Sequence, residues 1–430
     1  MLVTQSGPEA LAAAVRSNSA RNVQEVLSRF PELKTKLDEE IVGASFGETA
    51  LLTAVNQGNR EMVDVLVQAG ANINQRSHWW AGSFGVLDNN SGLHDFLIER
   101  GATLDAHAAA RLGRLEVLRA LVDRDPSAVR ARGGDGQLPL HFASSVEVAE
   151  FLLERGADID AIDVDHESMA AQWMIDERQE VVRYLVSRGC RTDILLAAAL
   201  GDVDLVQHHL STHPDATRAV VSEEFFPKKD PRSGGTIYNW TLGTGKGPHL
   251  IARKFGHDHV FRIVMEASPL TTQLGVWCEL ADRDEVDAIL RRDPAITGTL
   301  GAADLRRLPD AARDENAAAV GLLLDAGWPI DARGQHGATA LHWTAFHGNT
   351  AMVRDLLRRT PPLEIRDKDF EGTPLFWAIY GSVHGWRCRT GDYVGVVEAL
   401  LDAGATPPPV SDDLRASEAV REVLRQRRRV

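Results

Sequence analysis

Apolar positions along the chain fall into short helical blocks, each closed by a turn of small residues. Leu66-Val67 leads into Gly70-Ala71-Asn72-Ile73-Asn74, and Leu152-Leu153 into Gly156-Ala157-Asp158-Ile159-Asp160. Leu323-Leu324 leads likewise into Gly327-Trp328-Pro329-Ile330-Asp331. Glycine at these places, and at Gly189 and Gly404, supplies the left-handed residue on which helices end. Ahead of such a block stands another, opening on a polar tip: Gly47-Glu48-Thr49-Ala50-Leu51-Leu52, Gly136-Gln137-Leu138-Pro139-Leu140-His141, Gly337-Ala338-Thr339-Ala340-Leu341-His342 or Gly372-Thr373-Pro374-Leu375-Phe376-Trp377. Thr373 can cap a helix whose first position is Pro374, where a missing N–H costs nothing. Leu341 and Leu375 begin the buried face, and the small alanines let two antiparallel helices approach closely. One such pair cannot bury its apolar face alone, so the pairs must stack.

Second-helix endings from Val26-Leu27 to Leu400-Leu401 mark about twelve units with a period of about 33 residues. At that period the T-P-L-H and G-A-D-I-N elements resemble the ankyrin repeat. The likeness is specific in 47–76, 134–163 and 327–380 and weak between 194 and 320. It implies an all-α, ankyrin-repeat α-solenoid with short β-hairpin finger loops, and a binding scaffold that holds a partner protein in a concave groove. By resemblance, the partner-facing positions are Gln335, His336, Ala338, Phe346 and His347, followed by Asp369, Phe370, Glu371, Ile379 and Tyr380. His141 and His342 match a histidine with a structural hydrogen-bonding role.

Several units replace the Gly-Ala turn by an Asp-Pro-type end, as in Arg124-Asp125-Pro126 and Arg292-Asp293-Pro294, where proline stops the helix. The expected organisation is an N-terminal capping repeat over 1–46, repeats over 47–222, an aromatic insertion at 223–247 and repeats over 248–407. A further insertion lies at 380–393, and a C-terminal capping helix at 408–430 has Ser411 or Asp412 as its N-cap. Terminal units with polar outer faces are what a stacked array requires.

Composition narrows the partner. A net charge of -14 argues against nucleic acid, whose backbone is bound by neutralising phosphates with Lys and Arg. The basic run Arg425-Gln426-Arg427-Arg428-Arg429 reads as a solvated last helical turn that suits the helix dipole, with an anion-binding or targeting tail as the other reading. No stretch reaches the ~18 apolar residues of a membrane span, and Met1-Leu2-Val3-Thr4-Gln5-Ser6 lacks the features of a leader. Three widely spaced cysteines imply no disulfide framework, so a cytoplasmic location is expected. The excess of Arg over Lys and the abundance of Ala hint at a bacterial source.

Three aromatic-rich interruptions break the rhythm, at 77–90, 223–247 and 380–393. Trp79, Trp80, Tyr238, Trp240, His384 and Trp386 lie in them and not in the repeat pattern. They either seal surfaces left open by irregular units or line a ligand groove. On the second reading, a small-molecule or catalytic site, Trp79, Trp80, Tyr238, Trp240 and Trp386 supply stacking walls. His384, Glu371, Asp392 and His347 are then the acid–base candidates, and Arg387 or Arg389 holds an anionic substrate. No cofactor or metal site is expected from spacing. His209 and His213 straddle a helix end, and Gly243-Thr244-Gly245-Lys246-Gly247 lacks the Gly and Ser/Thr positions of a phosphate loop.

Overall fold

The computed structural model describes residues 6–88, 92–411 and 413–427. Its elements are short helices, and the described residues contain no β-strand, in keeping with an all-α solenoid of the ankyrin type. Paired helices recur, as in Ala50–Asn56 with Arg60–Gln68, Ala340–Phe346 with Thr350–Leu357, and Pro374–His384 with Tyr393–Asp402. The chain divides into two compact units, one formed by 1–209 with 219–257 and the other by 210–218 with 258–430.

Local chemistry sets each pair. First helices are capped by threonine: Thr49 accepts from the Leu52 N–H at 3.2 Å and Thr373 from the Phe376 N–H at 3.3 Å. Second helices open on Asn59, Asn316, Asn349 and Asp392, each accepting from a backbone N–H three residues on. The turn glycines Gly70, Gly156, Gly189, Gly327 and Gly404 all have positive φ, between 85° and 108°. The first helix Ala340–Phe346 is buried along Ala340, Leu341, His342, Trp343, Thr344 and Ala345. Leu51, Val55, Met62 and Leu66 belong to one continuous core in the first unit; Leu341, Val353, Leu356 and Leu375 belong to one in the second.

The finger loops are tighter than expected. In place of β-hairpins the structure has isolated bridges, Glu40 with Thr49 and Ile162 with Met169. Consecutive tips are joined by one or two backbone bonds, from His78 N–H to the Gly47 carbonyl at 2.9 Å, from Val164 and Asp165 N–H to Asp135 at 2.8 and 3.0 Å, and from Lys368 to His336 at 2.8 Å. So short a segment closes on itself, Gly334 N–H to the Ala338 carbonyl at 2.9 Å, before a ladder can form. At the tips Phe46, Asp135, His336 and Glu371 all take left-handed backbone, with φ from 52° to 61°. Such a residue costs of order 1 kcal/mol where a glycine would not.

The first interruption is an irregular hairpin. Ser77 N–H meets the Phe84 carbonyl at 2.8 Å, and Gly82 (φ +147°) passes so close to the neighbouring tip that a Cβ would lie 2.1 Å from the Gly133 oxygen. Asn89 and Asn90, at its end, lie outside the described residues. The second interruption closes through Gly245 N–H to Val221 and Val221 N–H to Lys246, around a π-helical turn at Asn239–Gly243. At the end of the chain, helix Glu418–Arg427 buries Val420 and Leu424. Its cap is Ser417, whose hydroxyl accepts from Val420 N–H, and not Ser411, which lies in the extended lead-in; Asp412 is outside the described residues. Arg425 pairs with Glu418 and Arg427 with Asp402, as a solvated last turn would; Arg428 and Arg429 are not described.

Candidate functional site

The second unit carries a cavity of about 430 Å³ whose walls are aromatic. Trp343 and Trp377 occupy the same register of consecutive first helices, directly after the consensus His342 and after Phe376, and meet edge to face with ring centroids 5.1 Å apart. They form its floor, with 3% and 6% exposure. Trp377 is fixed by its indole N–H, which donates to Asp367 Oδ2 at 2.9 Å. That carboxylate also accepts from Phe370 N–H and Gly372 N–H, so one buried Asp ties the finger loop to the floor.

The walls come from the tips and from the third interruption. His336 sits on its left-handed tip, with Nδ1 2.8 Å from Asp369 Oδ2 and its ring 5.3 Å from Phe370. Phe346 closes one side, edge-on to Trp377 at 5.7 Å and to Trp386 at 5.6 Å. Tyr380, stacked on Phe376, completes the opposite side. Phe370 and Trp386 stand at the mouth, 61% and 70% exposed. Two large rings are thus left in water beside a concave apolar surface.

Of the remaining candidates in this unit, His347 and Asp392 make contacts that hold the fold. His347 is buried: its Nε2–H donates to the Arg313 carbonyl at 2.9 Å, its ring packs against Trp343 and Trp386, and burial lowers its pKa. Asp392 caps helix Tyr393–Asp402 through Gly395 N–H and accepts from the Thr350 hydroxyl. Glu371 is an exposed tip residue, and the His384 ring lies tilted against Tyr380 at 4.6 Å. Among the described residues no hydrogen bond joins any two of His347, Glu371, His384 and Asp392. Arg387 is paired with Glu315 at 2.6 Å, and Arg389 is exposed.

In the first unit the first two interruptions meet. Arg232 of the second lies 4.2 Å over the Trp80 ring of the first, and Trp79 donates its indole N–H to Asp135 Oδ1 at 3.1 Å. Trp240, largely exposed, packs edge-on to His166 at 4.8 Å. Tyr238 presents no face to a ligand: it is fully buried, its hydroxyl donating to Asp193 Oδ2 at 3.0 Å. Asp193 in turn caps helix Ile194–Leu200 through Leu195 and Leu196 N–H. Replacing Tyr238 by Phe strands a buried carboxylate oxygen, and should lower the urea midpoint by the equivalent of about 1–3 kcal/mol.

The residues that sequence reasoning missed are Trp343, Phe376 and Trp377 in the second unit. The signal was present, since Thr339-Ala340-Leu341-His342-Trp343 and Thr373-Pro374-Leu375-Phe376-Trp377 align tryptophan with tryptophan. Bulky rings at one register of stacked helices must meet. The two consensus histidines behave as the resemblance implied. His342 accepts from Thr339 N–H at 3.1 Å and donates to the Gly372 carbonyl at 3.2 Å; His141 accepts from Leu138 N–H and donates to the Ser168 carbonyl at 3.1 Å. Burial pushes both down to about 4.

The ankyrin-repeat family model matches residues 46–78, 135–164 and 336–368. The chain is also 27% identical over 300 residues to the E3 ubiquitin-protein ligase KEG of Arabidopsis thaliana, a match covering 64% of this chain and 18% of that protein. The chain thus spans about a fifth of the relative it matches. No helix among the described residues is long and apolar enough to cross a membrane. With matched repeats in both units and helix pairs of the same construction elsewhere, the chain is an ankyrin-repeat protein.

Proposed function

We propose that the chain is a binding scaffold and that its second unit holds a partner protein by receiving an apolar side chain of that partner between Phe370 and Trp386. Ankyrin repeats are generally protein-interaction scaffolds. The observation that carries the finer reading is the aromatic cavity at the tips of consecutive repeats, with two exposed rings at its mouth. Buried aromatics of this kind supply most of an interface's affinity. The net charge of -14 favours a basic partner, whose contacts with charged residues around the cavity would set on-rate and salt dependence.

The experiment compares capture of proteins from a native lysate by the wild type, by Phe370→Ala with Trp386→Ala, and by Phe346→Ala with Phe370→Ala. A specific protein held by the wild type and lost from both variants supports the reading. Equal capture by all three removes it.

A cavity of about 430 Å³ also falls within the size range of small-molecule sites. That second reading predicts a small apolar ligand co-purifying with the wild type and absent from the Trp386→Ala variant, detectable by mass spectrometry of the denatured protein.

A further inference from the structure

Two carboxylates and an imidazole converge in the first unit on a point that no Lys or Arg among the described residues reaches. Asp135 stands at one repeat tip, and Asp165 and His166 at the next; the backbone bonds from Val164 and Asp165 N–H to the Asp135 carbonyl, 2.8 and 3.0 Å, hold the tips together. His166 Nδ1 lies 3.0 Å from the Gly235 carbonyl. A carbonyl only accepts, so Nδ1 carries a hydrogen, and in the neutral form of the ring the other nitrogen is a lone pair. That lone pair faces Asp165 Oδ2 at 3.5 Å and Asp135 Oδ2 at 3.9 Å.

Negative and lone-pair atoms turned toward one another are unfavourable unless a cation lies among them. No Lys or Arg among the described residues is within ion-pair distance of either carboxylate, and Asp165 is only 5% exposed. The second oxygen of each carboxylate is already used, Asp135 Oδ1 by Trp79 and Asp165 Oδ1 by Gly234 N–H, which leaves the converging oxygens as the free ones. An imidazole whose far N–H is fixed by a backbone carbonyl is the usual outer arrangement of a metal ligand.

We propose that Asp135, Asp165 and His166 bind one divalent transition-metal cation, of the Zn²⁺ class, through Oδ2, Oδ2 and Nε2. The three donor atoms lie within 4.8 Å of one another. Tetrahedral zinc with ligands at about 2.0–2.1 Å places its donors about 3.3–3.4 Å apart, so closure shortens the separations by between a few tenths of an ångström and about 1.5 Å. One imidazole with two carboxylates suits this borderline class better than Ca²⁺ or Mg²⁺. Spacing along the chain showed no metal pattern because the ligands come from consecutive tips, a repeat apart, with the Gly235 carbonyl supplied by an insertion.

The test uses the full chain, without a histidine tag, stripped with a chelator and titrated with Co²⁺ near neutral pH, followed by Zn²⁺ competition. The expected result is a visible absorption band saturating at one equivalent and abolished by Zn²⁺. Asp165→Asn and His166→Gln should each weaken binding at least about tenfold while helical circular dichroism is retained. Should those variants unfold, Asp135→Asn carries the comparison, since it keeps an oxygen for the Trp79 indole. No uptake by the wild type overturns the proposal. Undiminished binding by the folded variants overturns it equally.

Discussion

Replacing Trp377 by alanine is expected to destabilise the second unit by about 3–5 kcal/mol, the range for removing a buried aromatic from a packed core. The side chain is 6% exposed and meets the rings of Trp343, His342, Phe346 and Phe370 at 5.1 to 6.1 Å. Its indole N–H also satisfies Asp367, the carboxylate on which the finger loop turns, so the truncation leaves a cavity and loosens the tip together. Trp386→Ala is the contrast. At 70% exposure that ring adds little to folding, and the change should fall within about 0.5 kcal/mol. Urea unfolding followed by far-ultraviolet circular dichroism separates the two, because stacked repeats that share interfaces report the loss of a single floor residue as an early transition. Equal midpoints for the two variants would mean that the cavity has no structural floor distinct from its mouth.

Acidification is expected to act on both units through their buried histidines and to weaken chiefly the second. His141 and His342 are held at about 4, against an ordinary value of 6.5, chiefly by burial. Their folded pKa is depressed, so the unfolded chain takes up the proton first. The stability they contribute is complete above pH 6.5 and is lost as pH falls toward 4, by about 3 kcal/mol for each histidine. Asp135 works in the opposite sense. Burial pushes its carboxyl up to about 6, so its contribution is present below its ordinary range and lost as pH rises through 6. Between pH 6 and 4 it offsets His141 within the first unit, and the steeper net loss belongs to the second. His342→Gln keeps an acceptor for Thr339 N–H at the helix start and should flatten the second unit's decline between pH 6.5 and 4. A decline of unchanged slope in that variant would assign the acid sensitivity to other groups.

What could be read from the chain follows from the range of the forces involved. Caps, turn glycines and helix pairs are local, and Thr373, Pro374, Gly327 and the apolar blocks specify them within a few residues. The finger loops were legible as turns but not as strandless ones, because the one or two bonds between neighbouring tips depend on repeat stacking. His336, Phe346, Phe370 and Trp386 were found by their position in the repeat or the interruption. Trp343 and Trp377 were hidden by lying inside the consensus, where rings are read as core. Tyr238 shows the reverse: placed in an insertion it resembled a wall, yet its hydroxyl is needed by Asp193, and burial followed. Asp135 with Asp165 and His166 required the approach of two tips and the fold-back of 223–247, neither of which any spacing encodes.

Site-directed photo-crosslinking from position 386 tests most directly whether the aromatic cavity is where a partner protein is held. A benzophenone amino acid in place of Trp386 in the full chain should, on irradiation in a lysate, trap one discrete protein, and the Phe370→Ala change should suppress that adduct. The same probe in place of Arg292, exposed on helix Arg283–Arg292 and outside the cavity, should not trap it. Adducts that form equally from both positions, or none from position 386, would contradict the assignment of the cavity as the partner site.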